Sequence, residues 1–301
     1  MLRVGLVGFG KWGRNYVRAA ESTNLGKVTA IYLRPDSPAW ADPSTNAFQK
    51  LRQLDDFDVD CVIIASHPAA TPALCEGLID RGVPLLIEKP AALSLTGAAR
   101  IHAAATKRNA LILVAHQHLF SHAFAEIKKR LAPADIESIH TFAGNLGPYR
   151  DYSALLDYGP HDVAMILSLM ADMPAAVSCE RHVYQLGESY QLHLNFRPGI
   201  YSRSEIWNHQ LPKARKLIVS AAGEAFEYDD TKTEAKLSIN GTPLSIAYEP
   251  PLTIAVREFL KAVAQGGTQD ERFGSHWAIQ VAKILEMATD KYLSADESTS
   301  G

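Results

Sequence analysis

The sequence predicts an α/β protein in which a doubly wound parallel sheet is followed by an α+β domain on a large, mostly antiparallel open sheet. Over residues 1–115, apolar strands alternate with helical segments, which is typical of parallel βαβ units. Residues 175–248 instead contain short strands with alternating apolar and polar residues, which favours an antiparallel sheet. We therefore expect two domains, residues 1–118 and residues 119–301.

The first strand leads into a glycine-rich turn of the form G-x-G-x-x-G, followed by a helix. In such a turn Gly8 permits a tight bend, Gly10 leaves room for a pyrophosphate against bare backbone, and Gly13 lets the helix lie close to the strand. The free N–H groups of the helix start attract an anion. An ordinary glycine-rich turn is the alternative. The residues predicted to form a dinucleotide site are Gly8, Phe9, Gly10, Lys11, Trp12 and Gly13.

The second predicted strand, at 27–33, ends where a dinucleotide-binding domain selects its cofactor. A carboxylate about 20 residues past the glycines would hold the ribose 2′-hydroxyl of NAD. Leu33 stands there with Arg34 beside it, and an arginine suits the 2′-phosphate of NADP. We therefore expect NADP to be favoured, with NAD as the alternative because Asp36 could reach back.

The next three predicted strands, at 60–65, 84–87 and 111–115, each deliver polar residues at the carboxyl edge of the sheet. Helices are predicted between them at 71–82, with Thr71 as its cap, and at 94–109. Ligands bind at this edge of doubly wound sheets. The residues expected to contact the cofactor there are Ser66, His67, Glu88 and Lys89. Those expected to line the nicotinamide or substrate pocket are His116, Gln117 and His118.

After residue 118 the regular alternation of strands and helices ends. The predicted elements are a helix at 121–131, a strand at 136–142, a loop at 144–152 and an apolar helix at 163–170. Strands are then predicted at 177–184, 190–196, 200–207, 216–220, 225–228 and 235–239, with Asn240-Gly241 as a hairpin turn. Helices at 253–265 and 275–293 follow, and we expect the tail, 294–301, to be disordered.

The composition of the chain argues against several classes of function. The chain is 47% hydrophobic and 21% charged with a net charge of -3, which argues against nucleic acid bound through a basic field. Apolar runs are too short for a membrane span, and we expect no signal peptide ahead of the first strand. Cys61, Cys75 and Cys179 suggest reduced thiols in a cytoplasmic protein. No carboxylate lies at useful spacing from His116 and His118, so we expect no metal.

Three motifs together resemble the Gfo/Idh/MocA oxidoreductase family: the glycine turn, Glu88-Lys89-Pro90 and Asp157-x-Gly159-x-His161. The resemblance covers nearly the whole chain, and the segment from Asn145 to Asp162 is most similar to members acting on sugars and nucleotide sugars. It implies an N-terminal Rossmann domain, a C-terminal domain whose open sheet builds a dimer interface, and a last helix that returns to the first domain. It also implies that Lys89 and His161 are the catalytic lysine and histidine.

The residue types fit alcohol oxidation. This reaction needs a base for the hydroxyl proton while hydride leaves for the nicotinamide. His161 can take or return a proton near neutral pH, and Asp157, four residues earlier, shares its helical face. We favour His161 as the base and Lys89 as the group that polarises the oxygen, and the reverse assignment remains open. Arg150 and Tyr158 are candidates for binding a polar substrate.

The predicted function is an NAD(P)-dependent dehydrogenase or reductase acting on a CH–OH group of a sugar, polyol or nucleotide sugar. Two alternatives are a cofactor-binding sensor without turnover and a glycoside hydrolase with tightly held NAD. Because the strand-rich segment needs a cover for its second face, we expect a homodimer or homotetramer formed through that sheet. The sequence does not name the sugar, its reacting carbon or the physiological direction.

Overall fold

The computed structural model describes the backbone of residues 1–299 and the side chains of residues 1–290. The chain forms two compact units, one from Met1–Gln117 and Pro250–Ile279, the other from His118–Glu249 and Gln280 onward. Residues 250–279, which the sequence prediction placed in the second domain, thus belong to the first unit. The tail from residue 294, predicted to be disordered, lies outside the residues whose side chains are described.

The strands, numbered along the whole chain, are β1 (Leu2–Val7), β2 (Gly26–Tyr32), β3 (Gln49–Leu51), β4 (Cys61–Ile64), β5 (Leu85–Ile87), β6 (Ile112–Val114), β7 (Ile136–Leu146), β8 (Ala176–Val183), β9 (Glu188–Arg197), β10 (Ile200–Trp207), β11 (His209–Ala221), β12 (Glu224–Asp229), β13 (Leu237–Ile239) and β14 (Thr242–Leu244). The helices are α1 (Lys11–Ser22), α2 (Thr71–Asp80), α3 (Leu95–Arg108), α4 (His122–Arg130), α5 (Ala154–Met170), α6 (Pro251–Gln265) and α7 (His276–Thr299). Short 3-10 turns lie at Pro38–Trp40, Pro43–Ala47, Leu54–Asp56, Gln117–Phe120 and Pro133–Asp135.

The first unit contains a six-stranded sheet in the order β3-β2-β1-β4-β5-β6, and every paired strand in it is parallel. Strands β4, β5 and β6 are apolar and buried along their length, as strands covered on both faces must be. The strand order reverses between β1 and β4, which opens a crevice at the carboxyl edge. The predicted doubly wound sheet is confirmed.

Two local predictions in this unit are wrong. The edge strand β3 was not predicted, because its three residues, Gln-Lys-Leu, carry no apolar run. Thr71 was predicted to cap α2, but the cap residue is Ala70. The Thr71 hydroxyl instead donates to the carbonyl oxygen of His67 at 3.3 Å, so it closes the turn that precedes the helix.

The second unit is built on an eight-stranded sheet in the order β14-β13-β12-β11-β7-β10-β9-β8. Neighbouring strands are antiparallel except β7 and β10, which are parallel. The predicted large, mostly antiparallel sheet is confirmed. Its inner face packs against α5, and the inward residues of β10, Ser202, Ser204 and Ile206, are fully buried.

Helix α5 begins at Ala154, well before the start predicted at residue 163. The hydroxyl of Ser153 accepts a hydrogen bond from the Leu156 amide at 3.3 Å, and the Glu188 carboxylate accepts one from the Ala154 amide at 2.7 Å. Both bonds satisfy N–H groups that a helix start leaves open. The motif from Asp157 to His161 therefore lies inside the helix and not ahead of it.

The predicted loop at 144–152 is shorter than expected, because β7 continues to Leu146. Gly144 allows this extension. A Cβ added to Gly144 would lie 2.3 Å from the indole of Trp207 on the neighbouring strand, so only glycine lets the strand pass beneath that ring. The final strand β14 was also not predicted, although its hairpin turn at Asn240-Gly241 was, and both turn residues have positive φ.

The outer face of the second sheet, opposite α5, is mixed in character. Arg203 and Glu205 form an ion pair of 3.1 Å, and Lys216 and Glu227 one of 3.3 Å. The alternation of strand side chains places Phe142, Tyr201 and Trp207 on the same face. Among the residues that the structure describes, no helix is long and apolar enough to cross a membrane.

Candidate functional site

The glycine turn in the first unit has the geometry of an anion cradle. Gly8 has a φ of +91°, and a Cβ added there would lie 2.6 Å from the Ala65 carbonyl oxygen. A Cβ on Gly13 would lie 2.1 Å from the Gly8 carbonyl oxygen, whereas one on Gly10 would meet nothing within 4 Å. The turn thus needs glycine at Gly8 and Gly13 for its own shape, and it leaves open space over Gly10.

Helix α1 starts with Gly10 as its cap residue and has no acidic residue in its first turn. The amide groups at the helix start therefore carry no side-chain cap and no competing negative charge. Lys11 at the first helical position is exposed. The residues present fit a dinucleotide, because bare backbone and a positive helix end meet at the crevice of the sheet.

Phe9 and Trp12, predicted to contact the cofactor, are part of the packing around this turn. The Phe9 ring is covered by Phe48, with ring centroids 5.6 Å apart, and by the guanidinium of Arg14 at 4.5 Å from its centroid. Arg14 is itself held by the Asp42 carboxylate. Trp12 is half-buried. These contacts fix the turn on one side.

The end of β2 presents one buried and one exposed side chain. Leu33 is buried, and its amide donates to the Leu51 carbonyl oxygen of β3 at 3.2 Å. The Arg34 side chain is 73% exposed and lies 3.6 Å from the Asp36 carboxylate. The cation suited to a phosphate and the carboxylate suited to a ribose hydroxyl thus stand side by side at this edge.

Lys89 follows β5 at the carboxyl edge and is only 9% exposed. Burying an ammonium group is costly unless it meets a negative or polar partner. A structural role alone rarely places a lysine this deep. Lys89 thus lies beside the crevice of the sheet and largely out of water.

Glu88 is held by a residue that the sequence did not connect with it. The hydroxyl of Tyr16 on α1 donates a hydrogen bond to the Glu88 carboxylate. Burial, together with the negative charge of Glu88, raises the pKa of Tyr16 well above its ordinary value. Tyr16 therefore stays protonated and ties α1 to the strand end that carries Lys89. Tyr16 and Glu88 are 72 residues apart in the sequence, so no local pattern could reveal this pair.

Ser66 and His67 form the turn after β4. The Ser66 hydroxyl lies 3.3 Å from that of Thr71, and Nδ1 of His67 accepts a hydrogen bond from the Ala69 amide at 3.3 Å. His67 is exposed. Both residues shape the turn at the carboxyl edge where the cofactor was expected.

The structure separates the three polar residues that follow β6. His116 is buried in the first unit against Trp277, with ring centroids 6.1 Å apart. Gln117 is half-buried. His118 belongs to the second unit, where its ring meets that of His161 at 4.9 Å between centroids and nearly at right angles, 87°.

In the second unit, Asp157 and His161 lie one turn apart on α5, and both are buried, at 6% and 4% exposure. Their carboxylate and imidazole can therefore work on one face of the helix. Asp162, the next residue, points to the sheet, where its carboxylate accepts a hydrogen bond of 3.0 Å from the Thr141 hydroxyl. Asp162 thus anchors the helix to the sheet.

The glycine of the Asp157-x-Gly159-x-His161 motif does not leave space for a ligand. A Cβ added there would lie 3.1 Å from Leu285 of α7 and 3.4 Å from Ile206 and Leu155. The volume beside Gly159 is filled by apolar side chains, so its role is close packing of α5 against the sheet and α7.

Arg150 lies over Asp157, with its Nε 3.4 Å from the carboxylate. Burial is the largest single effect and lowers the pKa of Arg150, but the charge and hydrogen bond of Asp157 together with Tyr152 and Tyr158 raise it by more, so the pKa lies above its ordinary value. Tyr158 donates its hydroxyl to the Gly147 carbonyl oxygen at 3.0 Å, and the guanidinium of Arg215 lies 5.2 Å from its ring centroid. Both predicted substrate contacts therefore also have partners within the protein.

The structure adds a residue that sequence reasoning missed. Nδ1 of His118 lies 3.0 Å from the hydroxyl of Tyr228 on β12. Tyr228 was only one inward position in an alternating strand, and no local signal marked it. Among the side chains that the structure describes, no three histidines, cysteines or acids come together as a metal ion would need.

Known proteins provide an independent comparison. Residues 2–116 match the family model GFO_IDH_MocA, described as an oxidoreductase family with an NAD-binding Rossmann fold. Myo-inositol dehydrogenase Hyg17 from Streptomyces leeuwenhoekii is 27% identical over 166 residues, which are 54% of this chain and 47% of that protein. Inositol 2-dehydrogenase 2 from Saccharopolyspora erythraea is 22% identical over 301 residues, covering 92% of this chain and 88% of that one.

A solved structure has the same fold over its full length. UDP-N-acetylglucosamine 3-dehydrogenase GnnA from Acidithiobacillus ferrooxidans superposes with a TM-score of 0.85 at 17% identity, covering 96% of this chain and 97% of that one. Residues 2–116, which contain the glycine turn and the parallel sheet, match the Gfo/Idh/MocA family model, and nearly the whole chain shares the fold of the solved structure.

Proposed function

We propose that this protein transfers hydride between a nicotinamide cofactor and a CH–OH group of a sugar, polyol or nucleotide sugar. The observation that carries the proposal is the buried Lys89 at the carboxyl end of β5, on the same sheet edge as the glycine cradle. The relatives named inositol dehydrogenases and UDP-N-acetylglucosamine 3-dehydrogenase support the substrate class.

The proposed roles follow from the side chains. When bound, the nicotinamide supplies the hydride acceptor. Lys89 polarises the substrate oxygen, and His161 takes the hydroxyl proton at one of its ring nitrogens. Asp157, one turn away, favours the protonated imidazole that results. The reverse assignment, with Lys89 as the base, makes a different prediction for the pH profile.

The experiment that tests the proposed function is a substrate panel with NAD and NADP. Myo-inositol, other polyols, free sugars and UDP-sugars are each added to the purified protein, and the absorbance of reduced nicotinamide is followed. We expect a signal with at least one polyol or nucleotide sugar. Tight cofactor binding without a signal from any of them would instead favour a sensor or a hydrolase.

A pair of glycine variants tests the cradle. Gly13→Ala should destabilise the protein by about 1–3 kcal/mol, the usual cost of overpacking, because its Cβ would meet the Gly8 carbonyl oxygen at 2.1 Å. Gly10→Ala has open space and should keep the stability while losing most of the dinucleotide affinity. Thermal unfolding and titration calorimetry measure the two effects. Wild-type affinity in Gly10→Ala would mean that the dinucleotide does not approach this backbone.

Cofactor choice is proposed to favour NADP through Arg34. Replacing Arg34 with alanine should weaken NADP far more than NAD, because a charge-assisted hydrogen bond to the 2′-phosphate is lost. Asp36→Asn should strengthen NADP, because it removes the negative charge 3.6 Å from that guanidinium. Arg108→Ala, on the far end of α3, is the matched control. Calorimetric titrations that show equal weakening of both cofactors by Arg34→Ala would exclude this role.

We also propose a homodimer or homotetramer formed through the outer face of the second sheet. Because Arg203 lies on that face beside Glu205, Arg203→Glu should bring like charges together and lower the association constant. Sedimentation velocity at micromolar concentration measures the assembly. A monomeric wild-type protein would contradict the proposal and would mean that the charged pairs on this face suffice to keep it in water.

A further inference from the structure

Three side chains from three elements meet in the second unit. His161 lies on α5, His118 in the turn before α4, and Tyr228 on β12. The two imidazoles are perpendicular at 4.9 Å, and Nδ1 of His118 lies 3.0 Å from the Tyr228 hydroxyl. His118 and Tyr228 are 2% and 1% exposed, so water does not compete for these contacts.

The direction of the His118–Tyr228 hydrogen bond depends on the groups on the other side of Tyr228. Lys236 donates to the Asp230 carboxylate at 3.0 Å, and carboxylate oxygens accept hydrogen bonds. Burial raises the pKa of Tyr228 above its ordinary value, as does the charge of Asp230; a hydrogen bond with Ser121 lowers it, and one with Asp230 raises it further. A Tyr228 hydroxyl that donates to Asp230 leaves its oxygen to accept from Nδ1–H of His118, 3.0 Å away.

This direction fixes one tautomer and one ring orientation of His118, as a hydrogen-bonded partner does for other functional histidines. A ring held in this way has a fixed position beside the imidazole of His161. The perpendicular contact restricts rotation of the His161 imidazole, because turning it would collide with the edge or face of His118.

We infer that Tyr228 and His118 act in sequence as positioning residues that hold the His161 imidazole in its reactive orientation. The inference rests on the proposed function, in which His161 handles the substrate proton. Neither residue needs to touch the substrate. Orientation matters because a misplacement of about 1 Å can cost on the order of 10²-fold in rate.

The test is a double-variant cycle. Tyr228→Phe keeps the ring and removes only the hydroxyl. His118→Asn removes the imidazole ring that contacts His161. Each should lower kcat by about 10–100-fold with little change in the dissociation constant of the cofactor. Because the two residues act in series, the kcat of the double variant should be no lower than that of the less active single variant. Losses that multiply, or a wild-type kcat in Tyr228→Phe, would overturn the inference.

Tyr190→Phe is the matched control. Tyr190 is equally buried on β9, four strands away from β12 in the same sheet, and its hydroxyl donates to Glu188 at 2.7 Å. It should keep the wild-type kcat. A loss in Tyr190→Phe as large as that in Tyr228→Phe would show that any buried hydroxyl matters, which also overturns the inference.

A second readout does not depend on turnover. In nitrogen-15 spectra of histidine side chains, assigned with His118→Asn and His161→Asn, Tyr228→Phe should change the tautomer of His118 and move the His161 resonances. Unchanged His161 resonances would overturn the coupling. If the wild-type protein binds NAD but none of the tested substrates leads to its reduction, the proposed function fails. These spectra still decide whether Tyr228 and His118 position His161.

Discussion

Replacing His161 with asparagine should lower the rate of hydride transfer by about 10²–10⁴-fold, the usual contribution of a positioned general acid or base. The dissociation constant of the cofactor should hardly change, because the proposed role of His161 is at the substrate oxygen. Stopped-flow formation of reduced nicotinamide measures the first effect, and calorimetry the second. Asparagine is smaller than histidine but keeps a polar side chain that cannot take up a proton near neutral pH, so the variant removes the proposed proton acceptor.

His182→Asn is the matched control for this variant. His182 is exposed on β8 and should leave the rate unchanged. The pH profile gives the more specific result. In His161→Asn the limb near neutral pH should disappear, since an ordinary imidazole titrates there. If the limb persists at full amplitude, His161 is not the group that accepts the proton.

Replacing Lys89 with alanine should lower turnover on a similar scale, because removing a group that stabilises developing charge typically costs about 10²–10³-fold. In contrast to His161→Asn, cofactor affinity should also change, because Lys89 lies at the sheet edge proposed to hold the nicotinamide. Lys89→Arg should recover part of the cofactor affinity by restoring the cation. Lys107→Ala, on the surface of α3, should match the wild-type protein.

The pH profile of Lys89→Ala separates the two assignments. With His161 as the base, the residual rate of Lys89→Ala should still follow the limb near neutral pH. If that limb disappears in Lys89→Ala and persists in His161→Asn, Lys89 is the base and the roles are exchanged. If neither variant slows hydride transfer, both assignments are wrong.

The sequence was sufficient for those parts of the fold that leave a periodic or local signal. The buried strands β4, β5 and β6 are short apolar runs bounded by breakers, and the glycine turn has a fixed spacing. Strand β3 and the start of α5 have no such signal. The first is three residues long, and α5 is buried on nearly all sides, so its first turns show no amphipathic pattern.

The sequence predicts candidate site residues where the residue type itself indicates the chemistry. It does not predict the contacts that such a residue makes with residues far away in the sequence. Lys89 and His161 stand out from their motifs. The sequence could not show that Tyr16 holds Glu88 or that Arg150 lies over Asp157, because such pairs depend on long-range packing. Gly159 shows the same limit, since a glycine that admits a ligand and one that admits Leu285 are identical in sequence.

The central claim is that hydride passes between substrate carbon and nicotinamide, and deuterium transfer tests it most directly. The purified protein is mixed in single-turnover amounts with NAD or NADP and with carbon-deuterated myo-inositol or UDP-N-acetylglucosamine, and the nicotinamide is analysed by mass spectrometry. We predict reduced nicotinamide carrying one deuterium from one of these substrates, and none in His161→Asn on the same time scale. Cofactor that binds but gains no deuterium from either substrate, or deuterium that returns to a sugar released by cleavage of a glycosidic bond, would contradict the account.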